Sequence, residues 1–244
     1  MTQGSESPLI KFIGRLPQYK ATIEDMTIYF VHVKSNRPDA TPLILCNGWP
    51  GGFHEYTGIA HDLASPPAGH KAFDVIIHSM PGYALSTPPK SSSFGMPETA
   101  RLLHKLMTDV LGYKQYYAAG GDWGSITARC LGALYPESCL GVHLNFCPVP
   151  PNPPLSWLNP KLAIDWAPRW LLGDDDRAKL RNTMEYVENG TAYYAVQKTT
   201  PRTPAYALQD SPVGLLAWIA EKMEPTIQRT KQRRADPSYV RFPS

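Results

Sequence analysis

Short apolar runs alternate with segments of helical periodicity from Met26 onward, and this alternation limits the folds open to the chain. The strand-like runs are 26–33, 42–47, 73–79, 116–119 and 140–146. Between them, 98–111 places its apolar residues on one helical face, and 125–134 is rich in small residues that let a helix lie close to a sheet. This order is typical of parallel strands joined by crossover helices. We therefore predict an α/β fold with a mostly parallel sheet flanked by helices.

The pattern changes after Cys147. A proline-rich stretch precedes amphipathic segments, among them 177–188 and 212–223, and no further strand signal follows. We therefore predict that the α/β core covers 26–147 and that a helical cap region covers 148–223.

The net charge of +3 arises entirely in the last part of the chain. Residues 224–244 contain five Lys and Arg against two Asp and Glu, whereas the preceding residues are balanced. A charge run of this size is usually a solvated surface rather than a nucleic-acid-binding arm. We interpret 224–244 as a basic tail and expect no nucleic-acid partner.

The cysteines and the lengths of the apolar runs indicate the cellular compartment of the protein. The four cysteines, at 46, 130, 139 and 147, have no CxxC or other metal-ligand spacing, which favours reduced thiols and no metal. There is no run of about 18 apolar residues, and the first residues have no secretory signal pattern. These features predict a cytoplasmic protein without a membrane span.

The most informative turn is Gly-Gly-Asp-Trp-Gly at 120–124, between a predicted strand and a predicted helix. An Asp at this place is held above the carboxyl edge of the sheet, next to a helix N-terminus. The flanking glycines remove the Cβ clashes that such a strained turn would create. On its own the turn leaves two interpretations equally open for Asp122, a reactive carboxylate and a helix cap.

A second turn, Asn-Gly-Trp-Pro-Gly at 47–51, follows an earlier strand, where its backbone N–H groups can face the same site. With these two turns, the chain resembles the microsomal-type and fungal epoxide hydrolases of the α/β-hydrolase superfamily. The resemblance spans roughly 16–223, and its motifs lie at 30–33, 47–51, 79–83, 120–125, 141–145 and 210–215.

The resemblance implies roles for four residues. Asp122 is the nucleophile that attacks an epoxide carbon and forms a hydroxyalkyl ester, and the backbone N–H groups of Trp49 and Trp123 form the oxyanion hole. Tyr193, preferred over Tyr194 by its position in the family segment, donates a proton to the ring oxygen. A packing role for this tyrosine is the alternative. The implied reactants are a small apolar epoxide and water, with no cofactor.

The chain also departs from the family pattern. In this superfamily a catalytic acid and then a histidine follow the nucleophile, yet the only histidine after Asp122 is His143, which we interpret as a packing residue in a strand. Asn47 and Ala84 replace a family histidine and glycine. We therefore interpret the chain as C-terminally truncated, with an incomplete cap and with 1–25 as a remnant of the family's N-terminal segment. Complete turnover to a diol is then doubtful.

Two other functions stay open from sequence. A haloalkane dehalogenase-like hydrolase also uses an Asp nucleophile followed by Trp. The second is a non-catalytic role, in which the protein binds small apolar molecules or a partner protein. The missing histidine is consistent with this role.

Overall fold

The computed structural model describes residues 14–147 and 173–235. The chain forms two compact units, Met1–Pro148 and Val149–Ser244. Parts of the predicted N-terminal remnant, cap region and basic tail fall at 1–13, 148–172 and 236–244, outside the described residues.

The first unit contains a six-stranded sheet with the order β1-β2-β4-β3-β5-β6. Strands β3, β4, β5 and β6 are parallel, whereas β2 is antiparallel to both β1 and β4. The strands are β1 (Gln18–Ile23), β2 (Met26–Val33), β3 (Thr41–Cys46), β4 (Phe73–His78), β5 (Tyr116–Gly120) and β6 (Cys139–Leu144). The predicted α/β fold with a mostly parallel sheet is confirmed.

Strands β1 and β2 differ from the sequence-based prediction. The link from β2 to β3 spans only 34–40, whereas a parallel crossover needs about a dozen residues or more, so β2 is antiparallel to its neighbours. Strand β1 was not predicted, because most of its residues are exposed and it lacks an apolar run.

Three helices connect the parallel strands. They are α1 (Thr57–Ala64), preceded by a 3₁₀ turn at Phe53–Tyr56, α2 (Met96–Lys105), extended by a π turn at Leu106–Val110, and α3 (Trp123–Leu134). The predicted helix over 98–111 corresponds to α2 and its π turn, and the chain leaves it at Gly112 with φ 75°. Helix α1 was not predicted, because eight residues give too short a periodic signal.

The sheet separates two apolar layers. On one face, Ile76 and Phe30 pack with α2 residues such as Leu103 and with Leu131 of α3. On the other face, the smaller layer includes Ile77 and residues of α1. The two layers hold the sheet in place, so that the carboxyl ends of the parallel strands β3, β4 and β5 lie side by side.

Helix α1 leaves part of its sheet face open. A groove of about 850 Å³ lies over β3, β5 and β6, and its walls include Leu45, Ile59, Tyr117, Ala119 and His143. Tyr117 is 40% exposed. This groove is lined by the sheet face rather than by the turn that carries Asp122.

The second unit is helical in its described part, 173–235. Its helices are α4 (Asp174–Asn189), α5 (Ala192–Thr199), α6 (Arg202–Asp210) and α7 (Pro212–Ala235). The predicted segments 177–188 and 212–223 lie in α4 and α7, and α7 continues into the segment interpreted as a tail. Across the described ranges, no helix is both long and apolar enough to cross a membrane.

Candidate active site

The turn between β5 and α3 holds Asp122 in a strained backbone conformation, with φ 52° and ψ −128°. Two glycines make this turn possible. A Cβ on Gly120 would overlap the carbonyl oxygen of Gly124, and a Cβ on Gly124 would overlap the carbonyl oxygen of Cys46 at the end of β3. Both clashes are with backbone atoms, which cannot move aside as the end of a side chain can. The structure therefore explains why these two positions are glycine.

Hydrogen bonds tie the turn to both neighbouring strands. Gly121 N–H donates to the carbonyl of Cys46 at 3.2 Å, and the Ser125 hydroxyl donates to the carbonyl of Gly120 at 2.5 Å. Phe146 N–H, just after β6, donates to the Ser125 hydroxyl oxygen at 3.3 Å. The position of Asp122 is thus fixed by the ends of three adjacent strands.

The carboxylate of Asp122 accepts hydrogen bonds from the backbone N–H groups of Trp49 and Trp123. The distance from Trp49 N to Asp122 Oδ1 is 2.8 Å. Asp122 stands at the N-cap position of α3, yet its side chain makes no capping hydrogen bond. The structure therefore brings together Asp122, Trp49 and Trp123, and the helix-cap interpretation of the Asp is not supported.

The electrostatic environment of Asp122 is set by opposing effects. The protein atoms packed around the carboxyl desolvate it and raise its pKa above the usual aspartate value, and the Trp123 and Trp49 N–H bonds offset part of this rise. The side chain nevertheless remains exposed to solvent. The carboxylate is therefore accessible, and its ionised form is less stable than that of an aspartate in open water.

Two residues near this carboxylate were not singled out from sequence. Burial and then the negative charge of Asp122 raise the pKa of Tyr83 to about 12. The pKa of Glu55 is raised by the same two causes, and His54 partly opposes them. Tyr83 ends the motif at 79–83 and Glu55 lies shortly after the motif at 47–51, but their approach to Asp122 depends on the fold.

Comparisons with known proteins agree with this geometry. The family described as alpha/beta hydrolase fold matches residues 41–189, and the family described as Epoxide hydrolase N terminus matches residues 10–56. The chain belongs to the epoxide hydrolases of the α/β-hydrolase superfamily. It is 34% identical to juvenile hormone epoxide hydrolase 1 of Ctenocephalides felis, over 89% of this chain and 48% of that relative.

Solved epoxide hydrolase structures share the fold. The Aspergillus niger epoxide hydrolase has a TM-score of 0.75 and 32% identity, covering 91% of this chain and 55% of that one. The juvenile hormone epoxide hydrolase of the silkworm Bombyx mori has a TM-score of 0.77 and 30% identity, covering 88% and 51%. The chain thus spans about half the length of the epoxide hydrolases it matches.

The two departures from the family motifs have structural counterparts. Asn47 is fully buried, and neither polar atom of its side chain has a hydrogen-bond partner in the described part of the chain. Ala84 has φ 43°, in the left-handed region that favours glycine. The loop around Ala84 is held by Ser86, whose hydroxyl accepts from Tyr29 N–H at 3.0 Å and donates to the carbonyl of Ser79 at 2.8 Å.

The remaining candidate residues lie elsewhere. Tyr193 is in α5 of the second unit, so its predicted role toward Asp122 stays a prediction. The packing role expected for His143 is wrong, because the residue is exposed and lines the open groove over β3, β5 and β6. Within the described ranges, no cluster of three or more His, Cys, Asp or Glu side chains is arranged to hold a metal ion.

Proposed function

We propose that this chain performs the first half of epoxide hydrolysis, the alkylation of Asp122 by an epoxide. The observation that carries the proposal is the exposed Asp122 carboxylate, with Oδ1 held by the N–H of Trp49. A carboxylate oxygen forms a bond to an epoxide carbon, and the bond from that carbon to the ring oxygen breaks. The ring oxygen accepts the phenolic proton of Tyr193, leaving a hydroxyalkyl ester on Asp122.

The same two N–H groups support the second half of the reaction. Water added to the ester carbonyl places negative charge on an oxygen of Asp122, and the backbone donors of Trp49 and Trp123 stabilise that charge. Hydrolysis also needs a base to take a proton from water, a contribution of about 10²–10⁴-fold. His143 is the only histidine after Asp122 in this chain, and we propose that the ester persists here.

We propose a small apolar epoxide as the substrate, with water as the second reactant of any complete turnover. The indoles that accompany the two backbone donors suit an apolar group. Membership of the epoxide hydrolases favours this reaction over the release of halide by a dehalogenase. We keep a cytoplasmic location as part of the proposal, in agreement with four free cysteines.

Intact-protein mass spectrometry after incubation with styrene oxide tests the proposal. We expect one added substrate mass, located by peptide mapping on the fragment that contains Asp122. Asp122→Asn keeps the size and tolerates the positive φ, and it should remain unmodified over the same period. An unmodified wild-type chain with a native circular dichroism spectrum would refute alkylation and favour the binding role. Chloride release from an alkyl chloride without addition of the epoxide would instead favour dehalogenation.

A further inference from the structure

In the second unit, each of the two adjacent tyrosines of α5 lies beside a lysine. The ammonium of Lys222, on α7, is 4.9 Å from the ring centroid of Tyr193. The ammonium of Lys198, on α5 itself, is 6.0 Å from the ring centroid of Tyr194. These two pairs are similar, and only the pair of Lys222 and Tyr193 includes the proposed proton donor.

The environments of these lysines differ. The Lys222 side chain is only 18% exposed, and it forms an ion pair with the carboxylate of Glu221, which is 70% exposed. Lys198 is exposed, and Tyr194 beside it is 41% exposed. Because water and salt screen exposed charges most strongly, Lys222 acts on its tyrosine with less screening than Lys198 does.

A cation over an aromatic ring interacts differently with the two forms of a tyrosine. It attracts the electron-rich face of the neutral phenol, and it attracts the full negative charge of the phenolate more strongly. A tyrosine that gives its proton to an opening epoxide acquires phenolate character as the proton leaves. A nearby ammonium therefore stabilises the donor after transfer more than before it. The exposed Glu221 carboxylate opposes part of this effect.

We propose that Lys222 is a positioning residue for Tyr193, holding its ring and stabilising the phenolate that forms when the hydroxyl gives up its proton. This inference rests on the proposed donor role of Tyr193. The interaction lies within the second unit, between α5 and α7, so it does not require a bound substrate. Lys198 has the same chemistry but acts on Tyr194, which is not the proposed donor.

Nuclear magnetic resonance of the chain labelled with ¹³Cζ-tyrosine tests the interaction without relying on activity. Tyr193→Phe and Tyr194→Phe assign the two signals. We expect Lys222→Met to raise the titration midpoint of Tyr193 by about one pH unit, and Lys222→Arg to leave it near the wild-type value. Lys198→Met, the matched control, should leave the Tyr193 midpoint unchanged.

The rate of styrene oxide addition provides the second measurement. Near neutral pH, Lys222→Met should slow alkylation by roughly 3- to 10-fold, whereas Lys198→Met should change it less than about twofold. An unchanged Tyr193 midpoint in folded Lys222→Met overturns the inference and leaves the donor role intact. Alkylation of Tyr193→Phe at the wild-type rate overturns both the donor role and the inference.

Discussion

Asp122 combines two features that oppose stability. Its backbone lies at a φ that non-glycine residues rarely adopt, and the surrounding protein raises the pKa of its carboxyl through desolvation. Backbone strain of this kind costs on the order of 1–3 kcal/mol. The N–H groups of Trp49 and Trp123 partly compensate for the second effect by hydrogen bonding to the carboxylate.

The raised pKa of Asp122 predicts how alkylation depends on pH. Only the ionised carboxylate attacks an epoxide, so the rate should be constant at neutral pH and should fall as the pH decreases through the pKa of Asp122. Because that pKa is raised, the fall should begin at a higher pH than for an ordinary aspartate. The initial rate of mass addition, measured from about pH 3.5 to 7.5, gives the midpoint, with circular dichroism confirming the fold at each pH. A midpoint at or below about 3.9 would contradict the prediction.

Ala84 offers a test of backbone strain away from the reactive group. Its φ of 43° penalises a residue with a Cβ, whereas glycine adopts this conformation freely. Ala84→Gly should therefore raise the free energy of unfolding by about 0.5–1 kcal/mol, after allowance for the greater entropy of glycine in the unfolded chain. Urea unfolding followed by tryptophan fluorescence measures the change. Ala60→Gly, in the interior of α1, is the control and should lower the stability.

At the residue scale, the sequence located the central groups but missed their neighbours. The Gly-rich turn and the Trp-Pro turn each follow a strand, so the meeting of Asp122, Trp49 and Trp123 was predictable from the order of elements. Tyr83 and Glu55 were not predictable, because their effect on Asp122 depends on how two loops fold back over the sheet edge.

Helix α3 illustrates how one element depends on close backbone approach. Gly124, in its first turn, faces the backbone carbonyl of Cys46, so an alanine there has no room. We expect Gly124→Ala to lower the free energy of unfolding by about 2–3 kcal/mol and to displace the Asp122 turn, which should also reduce alkylation. Differential scanning calorimetry and the mass-addition assay measure the two effects.

The same helix contains its own control. A Cβ on Gly132 would come within 3.0 Å of Val142 Cγ1, and Val142 is 41% exposed, so its side chain can shift by a few tenths of an ångström. Gly132→Ala should therefore be neutral or should stabilise the protein by up to about 1 kcal/mol through higher helix propensity. Equal destabilisation by both substitutions would show that the contact with Cys46 has no special effect.

At the element scale, apolar patterns predicted the strands from β2 to β5 and helix α2, which bury most of their apolar residues, whereas β6 was predicted from an apolar run that stays partly exposed and α3 from its small residues. Such patterns failed where burial is slight or the element is short. Strand β1 exposes most of its residues, and α5 and α6 are short helices without buried residues. The antiparallel direction of β2 follows from a loop length rather than from any residue pattern.

At the scale of the whole molecule, β6, which is an edge strand of the sheet in the described part of the chain, is expected to control association. Residues 139–146 contain no Lys, Arg, Asp, Glu or Pro, the residues that usually prevent edge-to-edge pairing. Leu140 is 47% exposed. The chain should therefore self-associate as its concentration rises, and Leu140→Lys should shift the population towards monomer.

Size-exclusion chromatography with light scattering, over a concentration series, measures this association. Leu134→Lys is the matched control, because Leu134 is 53% exposed but lies at the end of α3 rather than on the edge strand. The prediction is contradicted if the wild-type chain stays monomeric throughout, or if both substitutions reduce association equally.

The strained conformation of Asp122 also has an evolutionary consequence. A glycine at this position would adopt φ 52° without penalty, so in a lineage with no use for the carboxylate a mutation to glycine would relieve strain and be free to spread. The codon for residue 122 therefore distinguishes two histories. An aspartate that is invariant among natural populations, in a gene that otherwise accumulates substitutions, would show continued selection for the carboxylate. The spread of glycine there would show that selection has been relaxed.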